Sequence, residues 1–161
     1  MTTRIGHAGD FQAVVPMMRQ SRLRQQAFDP SLYALHPDAD QRLRRWIGAV
    51  TADPRATLLV VEEAPGQIIG FLYATVEKDL PIYLHDEFAL VHEWWVEPAF
   101  RRRGAGKSLL ALAAAEFARA GVAQLRIRAA AADEELRPVL TRCGFRMSAC
   151  ELVKELKSRA T

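Results

Sequence analysis

Apolar positions follow two rhythms along the chain, one of period two and one near 3.6, and the rhythm changes at glycine, proline and charged punctuation. Thr3 to His7 predicts a short first strand. Asp10 offers an N-cap for a helix to about Ala27, and Pro16 is expected to kink or restart it. Asp29-Pro30 and His36-Pro37 punctuate a loop, and Pro37 or Asp38 opens a second helix through Arg42 and Trp46 to about Thr51. The run Thr57 to Glu62, the turn Ala64-Pro65-Gly66-Gln67 and the run Ile68 to Val76 predict a hairpin. Phe88 to Val96 is the next strand. A helix from Gly104 to about Arg119 follows, apolar at Leu109, Leu110, Leu112 and Ala113 and closed by Gly121. Then come a strand from Gln124 to Arg128, a helix from about Asp133 to Arg142, a break at Gly144 and a last strand from Phe145 to about Glu155. Two helices, a hairpin and a strand-helix-strand-helix-strand half make an α/β (α+β) domain around one central mixed sheet, a single domain over residues 1–161. In such sheets the strand-to-helix turns are where phosphate ligands bind.

Composition narrows the partners. Half of the 161 residues are apolar and a quarter charged, which is enough to bury a core and too apolar for a disordered chain. The net charge of +3 is small, and the arginines are spread along the chain, which argues against nucleic acid and for a small polyanionic ligand. Cys143 and Cys150 have no CxxC spacing and no His pair nearby, so the expectation is a reduced protein without metal. The first residues lack an apolar signal core, and no apolar run reaches the ~18 residues of a membrane span, so a cytoplasmic protein without membrane contact is expected.

The stretch from Val96 to Lys107 carries the chemistry. It reads Val-Glu-Pro-Ala-Phe-Arg-Arg-Arg-Gly-Ala-Gly-Lys and joins a strand directly to a helix. Gly104 and Gly106 let the backbone close on a ligand, and the helix start offers unpaired N–H groups. With the helix dipole and Arg101, Arg102 and Arg103, these make an anion site. A tight turn with solvated arginines is the plainer alternative. Gly106-Lys107-Ser108 also matches the end of a nucleotide-triphosphatase P-loop, but Arg101 stands where that loop needs its first glycine.

The same segment resembles motif A of the GCN5-related N-acetyltransferase (GNAT) superfamily, (Q/R)-x-x-G-x-(G/A). Arg101, Gly104 and Gly106 fill it, preceded by Val96, Pro98 and Phe100, and Gly144-Phe145 matches the family's later Gly-Phe. The resemblance implies a mostly antiparallel sheet flanked by helices, with a splayed strand pair holding acetyl-CoA. It implies that the backbone of Trp94, Trp95 and Val96 faces the pantetheine arm and that the N–H groups of Arg102, Arg103, Gly104, Ala105, Gly106 and Lys107 hold the pyrophosphate. The implied reaction moves an acetyl group to a primary amine of a small-molecule or amino-acid-like acceptor. Dimers are common in the family, so a homodimer is open. An acyl-CoA-binding regulatory module without turnover is the alternative.

An amine with pKa near 10 must lose a proton before it attacks, and a carboxylate or His on the strand serves as base. His92 and Glu93 are the candidates, with family habit favouring Glu93. Strict alternation puts them on opposite faces unless a bulge intervenes. His85, Asp86 and Glu87 could line a substrate mouth, and Phe28, Tyr33, Tyr73 and Tyr83 an acceptor pocket, although loops and cores more often hold such residues. Trp94 and Trp95 read as one core and one pocket-wall residue. Two positions depart from the family: Asp133, counted with the cofactor residues, stands for the usual Asn, and Leu140 for the Tyr that protonates the departing thiolate. Arg128 stands where some peptide-directed members have a Glu base.

Overall fold

The computed structural model describes residues 1–50 and 52–156, so the expected helix end at Thr51 lies outside the described residues. Strand β1 (Thr2–Ile5) leads through a short 3-10 turn into helix α1 (Phe11–Phe28) and then α2 (Ala39–Val50). Strands β2 (Ala56–Ala64), β3 (Gln67–Lys78) and β4 (Glu87–Val96) follow. Helix α3 (Ala105–Arg119), strand β5 (Leu125–Ile127) and helix α4 (Leu136–Arg142) complete the order. The strands lie in the order β1-β2-β3-β4-β5, antiparallel except for the parallel pair β4–β5.

Each sheet face buries its own cluster. Leu59, Val61, Leu72, Ala74, Ala89 and Val91 point toward Leu109, Leu110, Ala113 and Phe117 of α3. Leu58, Val60, Phe71, Tyr73 and Trp95 point the other way, toward Val14, Met17 and Met18 of α1 and Ile47 of α2. The period-two alternation of β2 and β3 sorts these residues onto the two faces.

Several expectations need correction. β1 stops at Ile5, because the N–H of Gly6 bonds to the Leu58 carbonyl and His7 turns to cap the 3-10 segment. Asp10 precedes α1 but does not cap it; its carboxylate takes Arg4 and the His7 N–H instead. Pro16 does not restart the helix: α1 runs unbroken, held to the sheet by Val14, Val15, Met17 and Met18 on either side of it. Helix α4 begins at Leu136 rather than Asp133, which accepts the Leu136 N–H from the preceding turn. The strand expected from Phe145 to Glu155 does not form among the described residues. Its apolar positions fall at 145, 147 and 149 and then slip to 152, 153 and 156, so no single register buries them. Met147 and Leu152 are accordingly 69% and 91% exposed.

Candidate active site

Strand β5 pairs with β4 only where Ala89, Leu90 and Val91 face Leu125, Arg126 and Ile127. Beyond Val91 this pairing ends, and among the described residues the rest of β4 has no strand partner on that side. The N–H of Glu97 bonds to the Ile69 carbonyl at 2.8 Å. Ladder alternation therefore turns the backbone of Trp95 toward β3 and that of Trp94 and Val96 toward the gap. The Val96 carbonyl is already taken by Arg101 Nε at 2.9 Å.

At the end of that gap lies the turn into α3. Arg102 (φ 61°) and Gly104 (φ 90°) are both left-handed, and Gly104 occupies the N-cap position. A non-glycine residue in that region costs about 1 kcal/mol or more, so the turn is held under tension at Arg102. Among the described residues, the backbone N–H groups of residues 102–107 have no acceptor within the protein; the first bond of α3 runs from Ser108 to Gly104. A row of unpaired donors at a helix start is an anion site.

The three arginines divide their work. Arg101 lies over the Trp95 ring, 4.6 Å from its centroid, and ties the turn to Val96. Arg103 pairs with Glu63 at 2.7 Å. Arg102 and Lys107 have no partner among the described residues, so they are the cations free to meet an anion. The glycines divide theirs as well. Gly104 serves its positive φ, whereas a Cβ on Gly106 would stand 2.6 Å from Trp94 Cζ2. The Trp94 indole lies across that glycine and donates to its carbonyl at 3.1 Å. Trp94 and Trp95 thus both pack, on opposite faces of the sheet.

In β4 the register skips a residue. Tyr73 faces Glu93 and Ala74 faces Val91, which leaves His92 as the extra residue of a β-bulge. The bulge turns His92 and Glu93 to the same face, the one covered by α1. Their environments differ sharply. The Glu93 carboxylate is 0% exposed, ion-paired with Arg22 and bonded by Ser21 Oγ at 2.8 Å, both from α1. Burial pushes its pKa up, opposed by Arg22 and Ser21. The His92 ring is 28% exposed, stacked on Tyr73 at 5.4 Å, with Nε2 2.6 Å from Thr75 Oγ1 and 3.6 Å from Glu77. Burial lowers its pKa; Glu77 opposes this, and Arg128 and Arg22 add to it. The ring is therefore neutral and has a lone pair at physiological pH. Tyr73, buried between His92 and Trp46, has its phenol pushed up to about 12 by burial and by Asp53 and Glu77.

Other residues singled out in the sequence are dispersed. Asp133 is buried and held by Arg24 of α1 at 3.1 Å, a link from the layer on one face of the sheet to the layer on the other. Phe28 lies under that same arginine. Tyr83 and His85 are exposed on the β3–β4 loop, Tyr33 is half-buried beyond α1, and the Asp86 carbonyl and the Glu87 carboxylate serve Asp79 and Arg55. Ser21, Arg22 and Thr75 drew no attention in the sequence; only the three-dimensional packing of α1 and β3 against the bulge selects them.

Leu140 is packed in the cluster beneath α3, with Cys143 against the same cluster. Leu140→Tyr must force a ring and a hydroxyl into that core. We expect it to cost about 1–3 kcal/mol of stability, read from the denaturant midpoint; an unchanged midpoint would show that the position opens to solvent.

No helix among the described residues is long and apolar enough to cross a membrane. No curated protein matches the chain in sequence. Solved structures do match its fold. An aminoglycoside antibiotic 6'-N-acetyltransferase from Acinetobacter haemolyticus superposes with a TM-score of 0.74 at 16% identity, covering 99% of this chain and 100% of that one. Glucosamine-6-phosphate N-acetyltransferase from Arabidopsis thaliana gives 0.72 at 14%, covering 97% and 98%. A transcriptional regulator from Bacillus halodurans gives 0.78 at 19%, covering 96% and 99%. At these identities the likeness shows the fold alone. The profile of the acetyltransferase (GNAT) family matches residues 21–145, from the middle of α1 to the Gly-Phe after α4. With that match over most of its length, the chain belongs to the GNAT family of acetyltransferases.

Proposed function

We propose that this protein transfers the acetyl group of acetyl-CoA to a primary amine of a small-molecule or amino-acid-like acceptor, by direct attack of the amine on the thioester. The observation that carries the reading is the row of unpaired N–H groups at residues 102–107, set at the end of the stretch of β4 that β5 leaves unpaired. Those groups, with Arg102 and Lys107, fit a pyrophosphate. The backbone groups of Trp94 and the N–H of Val96 fit an amide-bearing arm. Acetyl-CoA, when bound, supplies an acyl group already activated as a thioester.

The chain's own residues supply the rest. His92, neutral and partly open, is the base that takes the ammonium proton. Glu93 is sealed behind Arg22 and Ser21, so its part is to hold the bulge against α1 rather than to meet the acceptor. The test is release of free thiol from acetyl-CoA over a panel of amines. Binding of acetyl-CoA without thiol release on any amine would favour a CoA-binding module instead, the reading that Leu140 in place of a tyrosine supports.

Gly106→Val tests the cofactor turn. The branched side chain would displace the Trp94 indole and crowd the row of donors. We expect acetyl-CoA affinity to fall by about tenfold or more, a loss of about 1.4 kcal/mol or greater. Calorimetry showing unchanged affinity in a folded variant would remove the turn from the site.

A further inference from the structure

We infer that Glu77 and Thr75 act as positioning residues for His92, forming a carboxylate–hydroxyl–imidazole relay that fixes its tautomer and leaves Nδ1 as the atom that accepts the proton. The inference rests on His92 as the base proposed above and adds residues that no part of that reading requires.

The argument is one of donor counting. Thr75 Oγ1 lies within hydrogen-bond distance of both Glu77 Oε1 and His92 Nε2. A hydroxyl has a single hydrogen to donate. An ionised carboxylate can only accept, so the Thr75 hydrogen goes to Glu77. Thr75 Oγ1 must then accept from His92, which places the imidazole hydrogen on Nε2. Glu77 Oε1, 3.6 Å from Nε2, reinforces that choice. The neutral ring keeps its lone pair on Nδ1, which has no partner among the described residues. Register explains the meeting: Tyr73, Thr75 and Glu77 alternate onto the α1 face of β3, and the bulge brings His92 onto that face beside them.

In the proton step, an N–H bond of the acceptor ammonium breaks and its electron pair stays on nitrogen. The proton forms a new bond at His92 Nδ1, giving an imidazolium. The charged groups that face this ring are Glu77 from β3, Arg22 from α1, adjacent Glu93, and Arg128 beyond β5. Of these, Glu77 is the anion in contact with the ring nitrogen, and it is the one that stabilises the imidazolium.

The experiment reads the free protein first. With 15N-labelled histidine and His92→Gln to assign the signal, His92 is expected to show the Nε2–H tautomer. Thr75→Val should mix the tautomers, Thr75→Ser should restore the wild-type pattern, and Glu77→Gln should move the titration midpoint to lower pH. In turnover, Thr75→Val and Glu77→Gln should lower kcat by roughly ten- to a hundredfold, with KM little changed. Glu77 is at the rim, so its variant keeps the test open if Thr75→Val fails to fold. An Nδ1–H tautomer in the wild type, or a tautomer and midpoint unmoved by both substitutions, would overturn the relay. The expected spectra in a protein that acetylates no amine would support the relay and overturn the acetyl-transfer reading.

Discussion

Replacing His92 with glutamine is expected to lower kcat/KM by about 10²–10⁴-fold at neutral pH, the usual cost of removing a general base. The amide keeps the size and one polar edge of the ring but cannot take a proton. The pH profile of the wild type carries the same information. A base works in its deprotonated form, and burial holds the imidazole below its ordinary pKa, so the neutral form persists to lower pH. Activity should therefore fall only on the acid side, along a limb below the ordinary value of about 6.5. That limb should vanish in His92→Gln. The measurement is kcat/KM across the range at saturating acetyl-CoA. A large loss in Glu93→Gln beside an indifferent His92→Gln would move the proton to Glu93.

Arg22→Ala is expected to destabilise the fold by about 3–5 kcal/mol at neutral pH, the scale of stripping a buried carboxylate of its partner. Glu93 has no exposed side-chain surface, and Arg22 is its counter-ion. The pH dependence has a definite sign. Burial already raises the folded pKa of Glu93 above its unfolded value, so between the two values the folded state holds the extra proton. Stability from this group thus falls as pH rises through that window, and losing Arg22 widens the window upward. The variant should regain stability as pH drops, because a protonated carboxyl needs no cation. Urea unfolding of the variant at acidic and neutral pH reads this directly. A loss equal at both would mean that Arg22 acts through packing alone.

The sheet was legible wherever periodicity and punctuation agreed. The β2–β3 hairpin follows from Pro65-Gly66 between two β-branched runs, and α3 follows from Gly104 and Gly121 around an apolar stripe. Motif spacing also located the turn at residues 102–107. What lies across the fold was hidden. The role of Gly106 depends on an indole from β4, and the pairing of Arg103 depends on Glu63 of β2. The bulge is invisible in β4 alone, because it exists only as a mismatch with the count of residues in β3. The favour shown to Glu93 came from family habit, which says nothing of the arginine that α1 lays over it. The stretch from Phe145 to Glu155 shows the converse: its apolar content suggests a strand, but no single phase carries it.

The extra residue in β4 also bears on how this gene can change. Residues before the bulge and after it are assigned to faces in opposite phase, with Ala89 and Val91 toward α3 and Glu93 and Trp95 toward α1. Any other amino acid at 92 preserves that assignment and forfeits only what the imidazole does. Deleting the codon would also preserve it, because Val91 and Glu93 would then alternate opposite Ala74 and Tyr73 in an unbroken ladder. The pairing of β3 with β4 therefore tolerates both substitution and loss at 92.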